Sequence, residues 1–226
     1  MKTKAYTCLA GIALITAAQA GTASSDLQGS ELWRWFVGAS AGYLTDADHG
    51  MYNLQVGMEN RNPGDRTSHA LYLQIGYAQD DAHYHYSTPP PAVGGPTENA
   101  SIDLHIIPIT ANYKYEAPIT GNLDYYVGVG LGFVVMDYTN NWNWSAPVTP
   151  PFNHASGTDD QTDIRLYGEL SGGLAYNISD AFKVFGGARF ICMSNVDHTI
   201  NVIGASAYNA GLNHDFLFEL GASYRF

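Results

Sequence analysis

Phe216-Leu217-Phe218-Glu219-Leu220-Gly221-Ala222-Ser223-Tyr224-Arg225-Phe226 reads as one strand with two unlike faces. Side chains alternate across a strand with period 2. Phe216, Phe218, Leu220, Ala222, Tyr224 and Phe226 therefore share one face; Leu217, Glu219, Gly221, Ser223 and Arg225 share the other. The first face is apolar to its last residue, and the second carries charge of both signs. A sheet in water hides its apolar face, and a free carboxylate beside an outward Phe fits that poorly. A transmembrane barrel reverses the demand, because its outside touches lipid and its inside is polar.

The same alternation recurs upstream in segments of the 9–11 residues or more that spanning strands need. With the terminal strand they make eight: Leu32 to Leu44, Met51 to Glu59, His69 to Ala78, Ser101 to Tyr115, Leu123 to Tyr138, Thr162 to Asn177, Phe182 to Met193 and the end. The fifth is the cleanest, with Tyr125, Val127, Val129, Leu131, Phe133 and Val135 outward and Asp124, Tyr126, Gly128, Gly130 and Gly132 inward. In the fourth, Ile102, Leu104 and Ile106 are assigned outward, and Asp103 and His105 inward. Pro108 removes a ladder donor there, so a bulge or a face switch is expected.

The connectors alternate in length. Asn60 to Ser68, Glu116 to Asn122 and Ser179 to Ala181 are short; Asp80 to Ala100, Thr139 to Gln161 and Asn195 to Gly211 are long, and only Thr45 to Gly50 breaks the pattern. Short periplasmic turns and longer extracellular loops are the outer-membrane arrangement. It puts both chain ends in the periplasm. Two aromatic belts are expected, as interfacial rings prefer: Trp33, Trp35, Tyr113, Tyr115, Tyr125, Tyr176, Tyr224 and Phe226 at one end, Tyr43, Tyr52, Tyr77 and Tyr138 at the other.

Residues 1–20 carry Lys2 and Lys4, an apolar run from Cys8 to Ala17, and Ala18-Gln19-Ala20. That is the pattern of a cleaved export signal. Residues 21–31 read as a flexible periplasmic lead-in, and residues 32–226 as one outer-membrane barrel domain. Removing the signal leaves 8 Lys+Arg against 21 Asp+Glu, a balance of −13. A chain this acidic is no nucleic-acid binder, since phosphate binding needs a basic surface. Cys192 would have no intrachain partner and reads as a small hydrophobe on the lipid face.

Several stretches resemble the OmpA-like and opacity-type family of small outer-membrane barrels. They are Pro108 within Ile107-Pro-Ile-Thr-Ala-Asn-Tyr-Lys-Tyr115, the run from Pro118 to Gly132, the turn Asn177-Ile178-Ser179-Asp180, and the ending Leu220 to Phe226. The terminal Phe226 with Tyr224 resembles the signal that the barrel-assembly machinery reads. The resemblance implies an all-β, eight-stranded, antiparallel transmembrane barrel in an up-and-down meander. It also implies location in the cell outer membrane among lipid and lipopolysaccharide. A monomer without cofactor is expected. Fold alone does not assign a role.

The candidate chemistry is thin. Arg34, Glu59, Asp103, Arg165, Glu169, Lys183, Arg189, Asp215, Glu219 and Arg225 map inward. A barrel of about eight strands is just wide enough for side chains to fill, so these charges read as a structural lumen network rather than a small-conductance pore. His83 and His85 would share a face, and with Asp80 or Asp81 could ligate a metal. No further ligand stands at recognisable spacing, and a polar strand extension is the plainer reading. Trp142 and Trp144 fall in the long connector Thr139 to Gln161 and are candidates for recognition of a host or surface ligand, or for interfacial anchors. Met193-Ser194-Asn195 faintly resembles the His-x-Ser-Asn run of lipid A deacylases, but Cys192 stands where the base would be. The reading is therefore a structural or surface-interaction barrel without catalysis.

Overall fold

A computed structural model describes residues 33–61, 66–87, 97–145, 154–194 and 214–226. The proposed export signal and lead-in lie outside the described residues. Among those described, eight strands follow in order: β1 (Trp33–Leu44), β2 (His49–Arg61), β3 (Ser68–Ser87), β4 (Thr97–Thr120), β5 (Leu123–Ser145), β6 (His154–Asn177), β7 (Phe182–Met193) and β8 (His214–Arg225). Each pairs antiparallel with the next, and β8 closes on β1 through Phe36↔Arg225 to Leu44↔Leu217. Closure leaves no open edge within the ring, which lipid would not tolerate.

Alternation decides which way each residue points. Leu54, Leu73, Val127, Leu131, Leu166, Leu170 and Leu220 stand on the outer face as an apolar belt. Trp33, Trp35, Tyr125, Tyr176, Tyr224 and Phe226 ring the rim where β1 begins and β8 ends, here called the terminal rim. Tyr43, Tyr52 and Tyr77 stand outward towards the opposite, distal rim. Tyr138 departs from the expected belt. It is buried inside, where its hydroxyl accepts a hydrogen bond from Arg165 Nη2 at 3.2 Å.

β4 corrects the sequence reading twice. No bulge forms at Pro108: the β4–β5 register is unbroken from Thr97↔Ser145 to Pro118↔Asp124, and slips only between Pro118 and Thr120. The strand keeps one parity throughout. Ile102, Leu104 and Ile106 point into the barrel and are buried, so Asp103 and His105 point outward. Pro108 is also inward, and a Cβ on Gly76 of β3 would sit 2.8 Å from its Cγ. The missing side chain at Gly76 makes room for the ring. Alternation separates two faces but does not say which faces lipid. Asp103 and His105 can face outward because they lie beyond the belt, towards water.

The long connectors shorten too. β3 and β4 pair up to Ser87↔Thr97, and β5 and β6 up to Ser145↔His154. The β1–β2 turn and the end of β7 lie far lower: β2 meets β3 only from Met51↔Ala78, and β6 meets β7 only from Tyr167↔Met193. Among the described residues the wall is therefore uneven, with β3 to β6 rising as a four-stranded sheet beyond the other four strands. At the terminal rim the β4–β5 and β6–β7 turns are tight. Gly121 has φ +49° in the β4–β5 turn, a left-handed conformation that costs residues with a Cβ about 1–2 kcal/mol.

Candidate functional site

The lumen divides into two halves of different chemistry. Its distal half is apolar: Leu44, Met51, Leu104, Ile106, Met136 and Leu217 form one cluster with Val134, Tyr167 and Ile191. Ala47, in the β1–β2 turn, packs against it from above. That turn is held inward by Asp215. Its carboxylate accepts from Thr45 Oγ1 at 3.0 Å, Asp46 N at 2.9 Å and Ala47 N at 3.2 Å. The inward Asp215 is thus a fastener for the turn, tying β8 to the tip of β1.

The other half carries the charges. Arg189 on β7 is 1% exposed and reaches Glu169 on β6 at 2.7 Å and Glu219 on β8 at 2.8 Å. Ser40 Oγ donates to Glu219 at 3.0 Å. Nearer the terminal rim, Lys183 reaches Glu59 at 3.2 Å and also Glu116, and Arg225 donates to Glu59 at 3.2 Å and to Asn177 Oδ1 at 2.9 Å. Lys114 bonds Glu116 at 2.8 Å. Its ammonium lies 5.6–6.0 Å from the ring centroids of Phe36, Tyr72, Tyr126 and Phe185, within reach of cation–π attraction. Interdigitated signs are what a buried interior needs, because an unpaired buried charge is costly.

Of the residues singled out from the sequence, Glu59, Glu169, Lys183, Arg189, Glu219 and Arg225 meet in this network. Arg165 pairs separately, with Asp163 at 2.7 Å near the distal margin of the apolar half. Arg34 and Asp103 do not join. Arg34 has the inward parity but stands exposed at the terminal rim, while its ladder partner Glu59 turns to Lys183 and Arg225. Asp103 is on the outer face. Sequence reasoning missed Lys114, Glu116 and Asp163. The first two were readable, since Tyr113 and Tyr115 outward put residues 114 and 116 inward.

The recognition candidates lie in strands rather than in a loop. Trp142 and Trp144 belong to β5, opposite Gly157 and Ala155 of β6. The Trp142 ring is half-buried and lies across Gly157, where an added Cβ would sit 2.7 Å from its Cζ2. His83 and His85 belong to β3, opposite Ser101 and Asn99 of β4; their side chains lie outside those described. Among the described residues, no three His, Cys, Asp or Glu gather as a metal-ligating group. Ser194 prolongs the β6–β7 ladder: its N donates to Leu166 O at 3.0 Å, and its Oγ accepts from Leu166 N at 3.2 Å. Cys192 pairs with His214 across β8, and Asp197 and His198 lie outside the described residues.

The raised sheet has a distinctive charge. After residue 20 the chain's Lys and Arg are Arg34, Arg61, Arg66, Lys114, Arg165, Lys183, Arg189 and Arg225. Five of them are buried in the barrel, and Arg34, Arg61 and Arg66 belong to the terminal-rim ends of β1 and β2 and the following turn. The raised part of β3 to β6 carries none on its exposed surface. It bears Asp103, Asp137, Asp159 and Asp160 instead, so the interior approaches neutrality and the acidic excess lies outside.

Comparison with known proteins agrees with this architecture. The profile of the family described as outer membrane protein beta-barrel domain matches residues 6–226. No curated protein matches the chain. Among solved structures, a major outer membrane protein from Thermus thermophilus is 14% identical, over 86% of this chain and 99% of that one, with a TM-score of 0.50. The attachment invasion locus protein Ail of Yersinia pestis is 13% identical, over 86% and 97%, at 0.38. Neisserial surface protein A is 14% identical, over 88% and 100%, at 0.38.

Proposed function

The chain belongs to the outer membrane protein beta-barrel domain family, and from that premise we propose a non-catalytic surface barrel that meets partners through a sheet raised above the membrane. The lower strands would anchor it among outer-membrane lipid and lipopolysaccharide, and the distal rim would face out of the cell. Tyr224 and Phe226 would present the ending to the assembly machinery. One observation carries the reading: β3 to β6 run on, paired, well beyond the points where β2 and β7 leave them. Strands continued that far past the apolar belt add nothing to spanning a bilayer, for which about 9–11 residues suffice.

The lumen favours the same reading over a pore. Its distal half is filled by apolar side chains and roofed by Ala47, and its other half is crossed by ion pairs. Ions would meet a barrier made mostly of apolar side chains, at a desolvation cost of several kcal/mol.

The test is a clipped barrel. Residues 82–102 and 141–158 are each replaced by a short turn, leaving the β2–β3 and β6–β7 pairing intact. The clipped protein should fold, shown by a heat-dependent shift in gel mobility. Cells carrying it should lose the adherence or matrix binding that the full protein confers. Undiminished binding by the clipped barrel refutes the role of the raised sheet.

A further inference from the structure

The barrel's exposed cations are gathered in one sector of one rim. Of the Lys and Arg after residue 20, Arg34, Arg61 and Arg66 are the ones not buried, and they stand at the terminal rim on β1, β2 and the turn that follows. Arg34 pairs with Glu59 in the ladder, so Arg61, two residues on, is its diagonal neighbour on the same face. Diagonal neighbours lie about 7–8 Å apart, within reach of long side chains. Arg66 comes two residues before Ser68, the ladder partner of Arg61. Its Nη2 donates to Gly121 O in the β4–β5 turn, which holds the guanidinium at the rim.

Like charges gathered this closely repel unless an anion comes between them. Among the described residues, the carboxylates towards this rim are engaged elsewhere. Glu59 serves Lys183 and Arg225, and Glu116 serves Lys114 and Lys183. Asp124 is buried and accepts from Asn177. Asp180 is exposed, but it lies in the β6–β7 turn, across the ring. The same sector also marks a depth. Trp33 and Trp35 flank Arg34 on the outer face, 42% and 51% exposed, and His69 of β3 shares a 2.7 Å hydrogen bond with Tyr113 of β4. Indoles and phenols placed this way sit at the headgroup level of a membrane. The arginines beside them stand at the height of lipid phosphates, whose oxygens match the guanidinium fork in geometry as well as charge.

We propose that Arg34, Arg61 and Arg66 bind the phosphate headgroup of an anionic phospholipid at the terminal rim, with Trp33 and Trp35 packing against its upper acyl chains. The acidic distal surface would repel the same lipid, so the charge of the molecule selects lipid at one end only. The inference concerns the end opposite the raised sheet and stands apart from that sheet's role.

The probe is phosphatidylglycerol with brominated acyl chains, mixed into phosphatidylcholine nanodiscs that hold the full protein. Trp142→Phe with Trp144→Phe leaves Trp33 and Trp35 as the emitters among the chain's 4 tryptophans. At equal mole fraction, brominated phosphatidylglycerol should be preferred over brominated phosphatidylcholine as quencher by about fivefold or more, the effect of one basic residue at an anionic surface. Changing all three arginines to Gln should bring the two lipids level, with heat-modifiable gel mobility showing that the barrel still folds. Changing all three to Lys should keep most of the preference. Where the triple Gln variant fails to fold, Arg34→Gln and Arg66→Gln carry the test singly, and each should lower the preference. Equal quenching by the two lipids with the arginines in place, or a preference that survives their removal, would overturn the proposal. Full competition by inorganic phosphate would make this a soluble-anion site, and displacement by lipid A but not by unlabelled phosphatidylglycerol would assign it to the other leaflet; either overturns it. So would a preference that emerges only after Glu31→Gln with Asp65→Asn, because the chain itself would then be neutralising the arginines.

Discussion

Replacing Arg189 by Met tests whether the lumen is held by its charges. Arg189 is 1% exposed and serves two carboxylates at once, Glu169 at 2.7 Å and Glu219 at 2.8 Å. Met fills much of the volume but leaves both carboxylates without their cation. Glu219 keeps the hydroxyl of Ser40 at 3.0 Å. Removing one partner of a buried pair typically costs about 3–5 kcal/mol, and here one cation answers for two pairs. A loss near the upper end, about 5 kcal/mol, is expected; that is a third or more of the stability of an ordinary domain. The measurement is reversible unfolding in denaturant from detergent micelles, followed by fluorescence of Trp33 and Trp35. The triple change Arg189→Met, Glu169→Gln and Glu219→Gln removes charge without stranding any. It should return to within about 2 kcal/mol of the native protein, since buried pairs are often no better than a neutral filling. A loss under about 1 kcal/mol in the single variant, or a triple variant no better than the single one, refutes the reasoning.

Deleting Phe226, or changing it to Asp, should leave the protein in the periplasm, read by fractionation and by loss of heat-modifiable mobility; normal insertion would remove the ending's assembly role. In a Cys192→Ala background, cysteines at Asn143 and Ser156 should react with a membrane-impermeant reagent on intact cells, and those at Thr120 and Asp180 should not; the reverse pattern would invert the orientation. The purified barrel should give no large steady conductance in planar bilayers, because the distal half of the lumen is apolar; sustained porin-like currents would refute a filled interior. Gly121→Ala should cost about 1–2 kcal/mol in the same unfolding assay, because Gly121 has φ +49°; an unchanged midpoint would mean the turn relaxes freely.

Most of the ring was legible because the lipid face writes itself into sequence. In β5, β7 and β8 the inward and outward sets follow directly from period 2, and Lys183, Arg189, Glu219 and Arg225 turn inward as the pattern implies. The pattern failed where both faces of a segment could pass for the lipid face. Ile102, Leu104 and Ile106 are as apolar as the belt, yet they point into the lumen, where Leu104 and Ile106 join the plug. The extent of β3 to β6 was hidden for a different reason. Beyond the membrane both faces of a strand are wet, so Thr158-Asp159-Asp160-Gln161-Thr162 shows no alternation and looks like a loop. Trp142 was singled out as a free aromatic because its neighbour in space, Gly157, is 15 residues away in sequence.

Among the described residues the uneven wall has the outline of a chair rather than a tube. β7, β8, β1 and β2 are consecutive around the ring and form the low seat, with the apolar plug beneath it; β3 to β6 form the back. A chair has a front. In a crowded leaflet where every copy shares one upright orientation, rotation about the membrane normal remains free, and it decides what each copy confronts. Under the proposed surface role, a partner arriving at the distal rim from the low side would meet the front of the back. One approaching from behind meets only the outward face of the sheet, with Asp103 and Asp137. Neighbours packed against the low side would leave the back reachable, whereas neighbours packed behind it would not. The density and facing of adjacent proteins would thus set how many copies are open to a partner, with no change in the fold of any of them.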